Sequence, residues 1–98
     1  MLKKSYSKTG SVCRVTFKYE NQEMANQAVL VGDFNDWSLK ETPMKKLKDG
    51  SFSVTLVLPS SRSYSFRYVL DQEHWVNDSK ADGYTPNQYG EANSVLIL

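Results

Sequence analysis

A chain of 98 residues is long enough for one compact domain, and we expect residues 1–98 to form a single β-sandwich domain. Twelve basic and eleven acidic residues leave a formal net charge of +1, which argues against nucleic-acid binding. No apolar run is long enough to cross a bilayer, so we expect no membrane association. The single cysteine, Cys13, cannot form an internal disulfide, which fits a cytoplasmic protein.

In the N-terminal half, alternating apolar and polar residues predict β-strands. We expect residues 1–10 to form a loose segment, followed by a strand over 12–19 and a strand over 28–31. The intervening residues 20–27 are expected to be a loop with at most one helical turn. A short strand over 44–47 ends at a turn-forming Asp-Gly pair. The expected inward residues of the first strand are Cys13, Val15, Phe17 and Tyr19.

In the C-terminal half, strands are predicted over 52–58 and 63–70, the first stopped by Pro59 because proline cannot donate to a sheet. On the second strand, Tyr64, Phe66, Tyr68 and Leu70 share one face, while Ser63, Ser65, Arg67 and Val69 share the other. Trp75 begins a short strand, residues 77–90 are rich in turn formers and are expected to be a loop, and 94–98 form the last strand.

About seven short strands at roughly ten-residue spacing, with no helical periodicity, predict an all-β fold. We expect an antiparallel β-sandwich with an immunoglobulin-like layout.

The residue types needed for catalysis are scarce. Nucleophilic catalysis needs a nucleophile, a base and an orienting group, and the only histidine, His74, stands in a polar turn where an exposed turn residue is the expected role. One histidine and one cysteine are too few for a zinc site, and no glycine-rich phosphate loop is present. Carboxylates near turns are common for structural reasons, and a small sandwich has no deep cleft to desolvate an acid. We therefore expect neither enzyme activity nor a metal or cofactor.

Two tryptophans beside polar turns favour a binding surface. A sugar ring has apolar C–H faces and polar hydroxyl edges, so it needs aromatic platforms together with directed hydrogen-bonding groups. Trp37 and Trp75 are candidate platforms, although either could instead belong to the core, and Tyr89 could be a wedge at a loop tip or a packing residue. The candidate hydrogen-bonding residues are Arg67, Asn93, Asn77 and Asp78.

Three segments in order, VLVGDFNDW, FRYVLDQEHWVND and YGEANSVLIL, resemble the family-48 carbohydrate-binding modules. This family includes the glycogen-binding domain of the AMP-activated protein kinase β subunit and is similar to the N-terminal domains of isoamylase and glycogen branching enzyme. The resemblance runs from about residue 12 to residue 98. It implies an early-set immunoglobulin-like sandwich that binds α-1,4-linked glucans such as glycogen and starch-derived maltooligosaccharides.

The resemblance also implies roles for individual residues. Trp37 and Trp75 would stack on glucose rings, and Arg67 and Asn93 would hydrogen-bond sugar hydroxyls. Tyr89 would press against the curved glucan from a loop. Asn77 and Asp78, to which the resemblance gives no role, stay secondary candidates.

The chain departs from the family pattern in three places. The turn over 71–74 is longer and lacks the usual glycine before the second tryptophan, which could shift Trp75 relative to Trp37. Tyr89 replaces a smaller aliphatic residue, and Asp36 replaces the usual second asparagine.

An alternative interpretation stays open at this point. Many enzyme-attached relatives use this fold to pack against a catalytic domain, and a sandwich can also pair through its edge strands. The chain would then be a structural or protein-interaction domain on a glycan-processing enzyme or a kinase-type assembly, with one or both tryptophans buried against the partner.

Overall fold

A computed structural model describes residues 2–98 of the chain, which consist almost entirely of β-strands joined by short turns. A single 3-10 turn covers Asp33–Asn35, and no helix in the described range is long and apolar enough to span a membrane. The strands are β1 (Leu2–Tyr6), β2 (Val12–Tyr19), β3 (Ala28–Gly32), β4 (Lys45–Lys46), β5 (Phe52–Pro59), β6 (Ser63–Leu70), β7 (His74–Val76), β8 (Gly83–Pro86) and β9 (Ala92–Ile97).

The strands form two antiparallel sheets that pack face to face. One sheet has the order β1-β2-β5-β4, and the other has the order β3-β6-β9-β8, with β7 paired to the end of β6. This is an immunoglobulin-like β-sandwich, and the predicted fold class is confirmed.

The core lies between the sheets and is dominated by aromatic side chains from β2 and β6. Phe17 meets Phe66 edge to face with ring centroids 5.2 Å apart, and Tyr19 meets Tyr68 at the same separation. Such tilted pairs add about 0.5–1.5 kcal/mol each beyond the burial of their area. The alternation predicted for β2 and β6 therefore places the expected residues in the core.

The expectation of a loose segment over residues 1–10 was wrong, because β1 pairs with β2 along Leu2–Tyr6. The sequence of β1 has no alternating apolar pattern, because β1 is an edge strand whose side chains are mostly exposed. Its Lys4 ammonium lies 2.7 Å from the Asp82 carboxylate and donates to the carbonyl of Ile97, which ties β1 to the other sheet.

The expected loop over 77–90 was also wrong in part, because it contains β8 (Gly83–Pro86), and β9 begins at Ala92 rather than at residue 94. In the sheet order β8 has a neighbour on one side only, where proline is tolerated because no second partner needs its N–H. Pro59 is the last residue of β5 and lies beyond the two residues that pair with β4, so its missing N–H interrupts no pairing there. Residues 2–98 thus contain nine strands instead of about seven.

The turn between β6 and β7 determines where Trp75 emerges. Asp71 and Gln72 have φ values of 49° and 68°, and the Glu73 N–H donates to the Leu70 carbonyl at 3.1 Å. Consecutive left-handed residues are typical of the type I′ turn that suits a twisted hairpin. The Asp71 carboxylate fixes the turn by accepting the N–H groups of residues 26 and 27 at 2.9 and 3.1 Å. The chain therefore makes a tight hairpin here without glycine.

We predict that Gln72→Gly stabilises the protein. Gln72 is exposed, and its left-handed conformation strains a residue with a Cβ but not glycine, so the gain should be about 0.5–1 kcal/mol. Thermal unfolding should show a melting temperature higher by roughly 2–8 °C. Gln72→Ala, which keeps the Cβ, is the control and should remain near the parent value; an equal rise in both variants would contradict this account of the turn.

Candidate functional site

The site begins where β3 passes very close to β6. A Cβ at Gly32 would lie 2.6 Å from the Ser65 carbonyl oxygen and 2.8 Å from the Phe34 ring. Both distances are shorter than any real contact, so only glycine allows this approach. The backbone of Gly32 is extended, with φ at 178°, a conformation that any residue can adopt. Glycine is therefore required here because there is no room for a side chain, and not because of the backbone conformation.

The turn that follows β3 is closed by the buried side chain of Asn35. Its Oδ1 accepts the N–H of Gly32 at 3.1 Å, and its Nδ2 donates to the Leu30 carbonyl at 3.0 Å and to the Thr42 hydroxyl at 2.9 Å. After it, Asp36 and Trp37 take left-handed conformations, and the Trp37 N–H donates to the Gly32 carbonyl at 3.0 Å. This network turns the chain back and delivers the indole to the sheet surface.

Asp33 fixes the orientation of that indole. Its Oδ1 accepts the Trp37 Nε1–H at 3.2 Å, and its Oδ2 accepts the backbone N–H of Ser65 on β6 at 2.7 Å. Trp37 is half-buried, with its polar edge occupied by the carboxylate. The indole is thereby held in one orientation while remaining partly exposed.

Arg67 connects the second tryptophan to the turn that precedes the last strand. It is only 8% exposed; its Nη1 lies 2.6 Å from the Glu91 carboxylate, and its Nη2 donates to the Trp75 carbonyl at 3.3 Å. The guanidinium also lies 5.8 Å from the centre of the Trp75 ring, a cation–π distance. Trp75 itself is 39% exposed. Arg67 is therefore a buried anchor for its neighbours rather than a solvated strand residue.

The turn between β8 and β9 carries Tyr89 at its tip, where the ring is 79% exposed. The Asn87 Oδ1 shapes this turn by accepting the N–H groups of Tyr89 at 2.9 Å and Glu91 at 3.1 Å, while its Nδ2 donates to the Asn93 Oδ1 at 3.2 Å. Gly90 takes a φ of 78°, which favours glycine. The exposed tyrosine is thus held on a structured turn and not on a loose loop.

These elements enclose one open groove on the outer face of the sheet that contains β6, with a volume of about 980 Å³. Trp37, Arg67, Trp75, Tyr89 and Asn93, which are the five main sequence candidates, all line it. The remaining lining residues are Asp33, Ser65, Glu73, His74, Thr85, Pro86, Asn87, Gln88 and Glu91. Aromatic faces mixed with a few directed polar groups are typical of a small-ligand site.

Asn77 and Asp78, the two secondary candidates, do not line this groove. Asp78 is only 2% exposed; its Oδ2 accepts the Tyr68 hydroxyl at 2.8 Å, and its backbone N–H donates to the Ser94 hydroxyl. Asn77 donates to the Ala92 carbonyl at 2.9 Å. Burial, followed by the charge of Asp78, raises the pKa of Tyr68 well above its ordinary value. Both residues therefore tie the β7–β8 connection to the core.

Sequence reasoning missed three carboxylates as parts of the groove. Asp33 and Glu73 belong to the carboxylates near turns, which sequence reasoning attributed to structural reasons, and Glu91 was not singled out. The sequence did contain a signal for Glu91. Side chains two residues apart in a strand lie on the same face, and Glu91 stands two residues before Asn93. No local pattern could place Glu73, whose position depends on the hairpin between β6 and β7.

A β-sandwich with an aromatic-lined groove on one sheet is the arrangement of a carbohydrate-binding module. The family model for the glycogen recognition site of AMP-activated protein kinase matches residues 13–97. The chain belongs to this family, as the sequence motifs indicated. A comparison with curated proteins found no match.

We predict that Asp78→Ala destabilises the fold. The change leaves the buried Tyr68 hydroxyl without its acceptor, which should cost about 1–3 kcal/mol. Urea unfolding followed by far-UV circular dichroism measures the loss. Ser79→Ala, at the exposed neighbouring position, is the control and should change little. Equal stability of the Asp78→Ala and Ser79→Ala proteins would show that the Asp78 network does not hold the fold.

Proposed function

We propose that this protein is a non-catalytic module that binds α-1,4-linked glucans, such as glycogen and starch-derived maltooligosaccharides. The observation that carries the proposal is that Trp37, Trp75 and Tyr89 line the same groove. The family match supports glycogen recognition in general, and the arrangement of these rings supports the finer assignment to stacking.

The groove offers what the two kinds of sugar surface require. The indoles of Trp37 and Trp75 present flat apolar areas for the C–H faces of successive glucose rings. The exposed Tyr89 ring, at the tip of the β8–β9 turn, closes one side of the groove and can press against a curved chain. Stacking on fixed rings is favourable because little side-chain entropy is lost when the sugar binds.

In this proposal, polar groups between the aromatic rings form hydrogen bonds with the hydroxyl groups at the edges of the sugar. Asn93 offers a side-chain amide that is already oriented by Asn87. Arg67 is largely buried, so in this proposal its hydrogen bonds to sugar come from the edge of the guanidinium that borders the groove, while its main effect is to hold Trp75 and Glu91. The hydrogen-bonding groups are thus fixed before the ligand arrives.

The same geometry favours binding over hydrolysis. Glycoside cleavage needs a carboxylic acid kept protonated in an apolar, water-poor pocket. Here Glu73 is exposed, Glu91 is paired with Arg67, and both Asp33 oxygens accept N–H bonds. An open groove of this kind supplies no desolvated acid, so we propose no catalytic residue.

We predict that Trp37→Ala and Trp75→Ala each weaken maltoheptaose binding by about tenfold to a hundredfold, because each removes a stacking platform. The parent protein should bind with a dissociation constant on the order of micromolar to millimolar, as a single shallow site allows. Fluorescence of the remaining tryptophan, or isothermal calorimetry, measures both.

Tyr6→Ala is the matched control, since Tyr6 is an exposed aromatic residue on β1 outside the groove. It should leave the affinity unchanged. If the parent protein shows no saturable response at tens of millimolar sugar, the proposal is wrong and the protein-interaction alternative is favoured. Melting temperatures of all variants separate a lost contact from a lost fold.

A further inference from the structure

The charges around the groove are unbalanced. Within the described residues 2–98, the groove is lined by the carboxylates of Asp33, Glu73 and Glu91 but by a single guanidinium, that of Arg67. Three negative groups against one positive group leave a formal charge of −2 when His74 is neutral. The whole chain, in contrast, carries +1, so the imbalance is a property of this surface.

The one cation among the described residues that line the groove is largely buried and already paired with a carboxylate. Arg67 is 8% exposed and is neutralised by Glu91 at 2.6 Å, with a second bond to the Trp75 carbonyl. Asp33 accepts hydrogen bonds only from the neutral donors of Trp37 and Ser65, so its charge stays uncompensated by these contacts. Glu73 is exposed on the β6–β7 turn. An approaching ligand therefore meets two carboxylates and one guanidinium whose charge Glu91 already neutralises.

We propose that the groove selects neutral glucans and rejects anionic ones, such as glucans carrying phosphate or other acidic substituents. This inference rests on the proposed function and names the substrate class of the same site. The hydroxyl groups of a neutral sugar donate hydrogen bonds to carboxylates, which are strong acceptors. An anionic substituent near Asp33 and Glu73 is instead repelled, and the repulsion grows as salt is removed because the screening length increases. Asp33 and Glu73 are thus specificity-determining residues.

The test compares three cyclic ligands of equal ring size: β-cyclodextrin, its per-6-sulfo derivative and its per-6-amino derivative. Each derivative is substituted on every glucose unit, so no binding register avoids the charge. Isothermal calorimetry at ~10 mM and ~0.5 M ionic strength should show the sulfo ring binding at least about tenfold more weakly than the neutral ring at low salt. That gap should shrink at high salt, and the amino ring should bind at least as well as the neutral one.

The outcomes separate the two proposals. If none of the three rings binds, the proposed function fails and the selectivity fails with it. If the neutral and sulfo rings bind equally at low salt, the selectivity alone is wrong. If both derivatives lose affinity together, the bulk of the substituent and not its charge is responsible, which also overturns the inference.

Two variants test whether the charge selectivity comes from the carboxylates of the groove or from the net charge of the protein. Glu73→Gln removes one groove charge and should reduce the low-salt ratio of neutral to sulfo affinity by about twofold to fivefold. Glu41→Gln makes the same change in net charge at an exposed position outside the groove and should leave the ratio as in the parent protein. The same reduction in both variants would show that net charge, and not the groove, sets the ratio.

Discussion

The close approach of β3 to β6 at Gly32 is the constraint on which the site depends. A side chain there would collide with the Ser65 backbone, so the glycine lets the two strands meet and brings the following turn against β6. Asn35 then closes that turn with three hydrogen bonds, and Asp33 joins the Trp37 indole to the N–H of Ser65. The Trp37 ring is therefore fixed by hydrogen bonds to the backbone at the end of the sheet and not by packing of the indole alone.

The central strand β6 links the core to the groove. One of its faces contributes Phe66 and Tyr68 to the aromatic core, while the other places Arg67 under the groove. Because both faces of β6 are covered, Arg67 is buried where a surface strand would expose it. Its ion pair with Glu91 offsets part of the cost of that burial and connects the β6–β7 hairpin to the β8–β9 turn. The fold and the site thus share one strand.

The sequence was sufficient to predict the features that depend on residues close together in the chain. Alternation predicted β2, β5 and β6, and the ordered motifs predicted the family and the groove-lining tryptophans. It was not sufficient where partners are distant in the chain. The edge strands β1 and β8 carry polar or turn-forming residues and become strands only through pairing with β2 and β9. Asp78 was a secondary candidate for sugar binding because nothing local shows that Tyr68 needs its oxygen.

The central claim is that two fixed indoles form one glucan platform, and the most direct measurement follows the two indole Nε1–H signals by ¹⁵N–¹H correlation NMR. During a titration with maltoheptaose, the signals of Trp37 and Trp75 should shift together and saturate with a single dissociation constant, because both rings line one groove. The Trp37 indole N–H should stay hydrogen-bonded to Asp33 while its signal shifts. Shifts confined to one indole, or two different dissociation constants, would contradict the single platform.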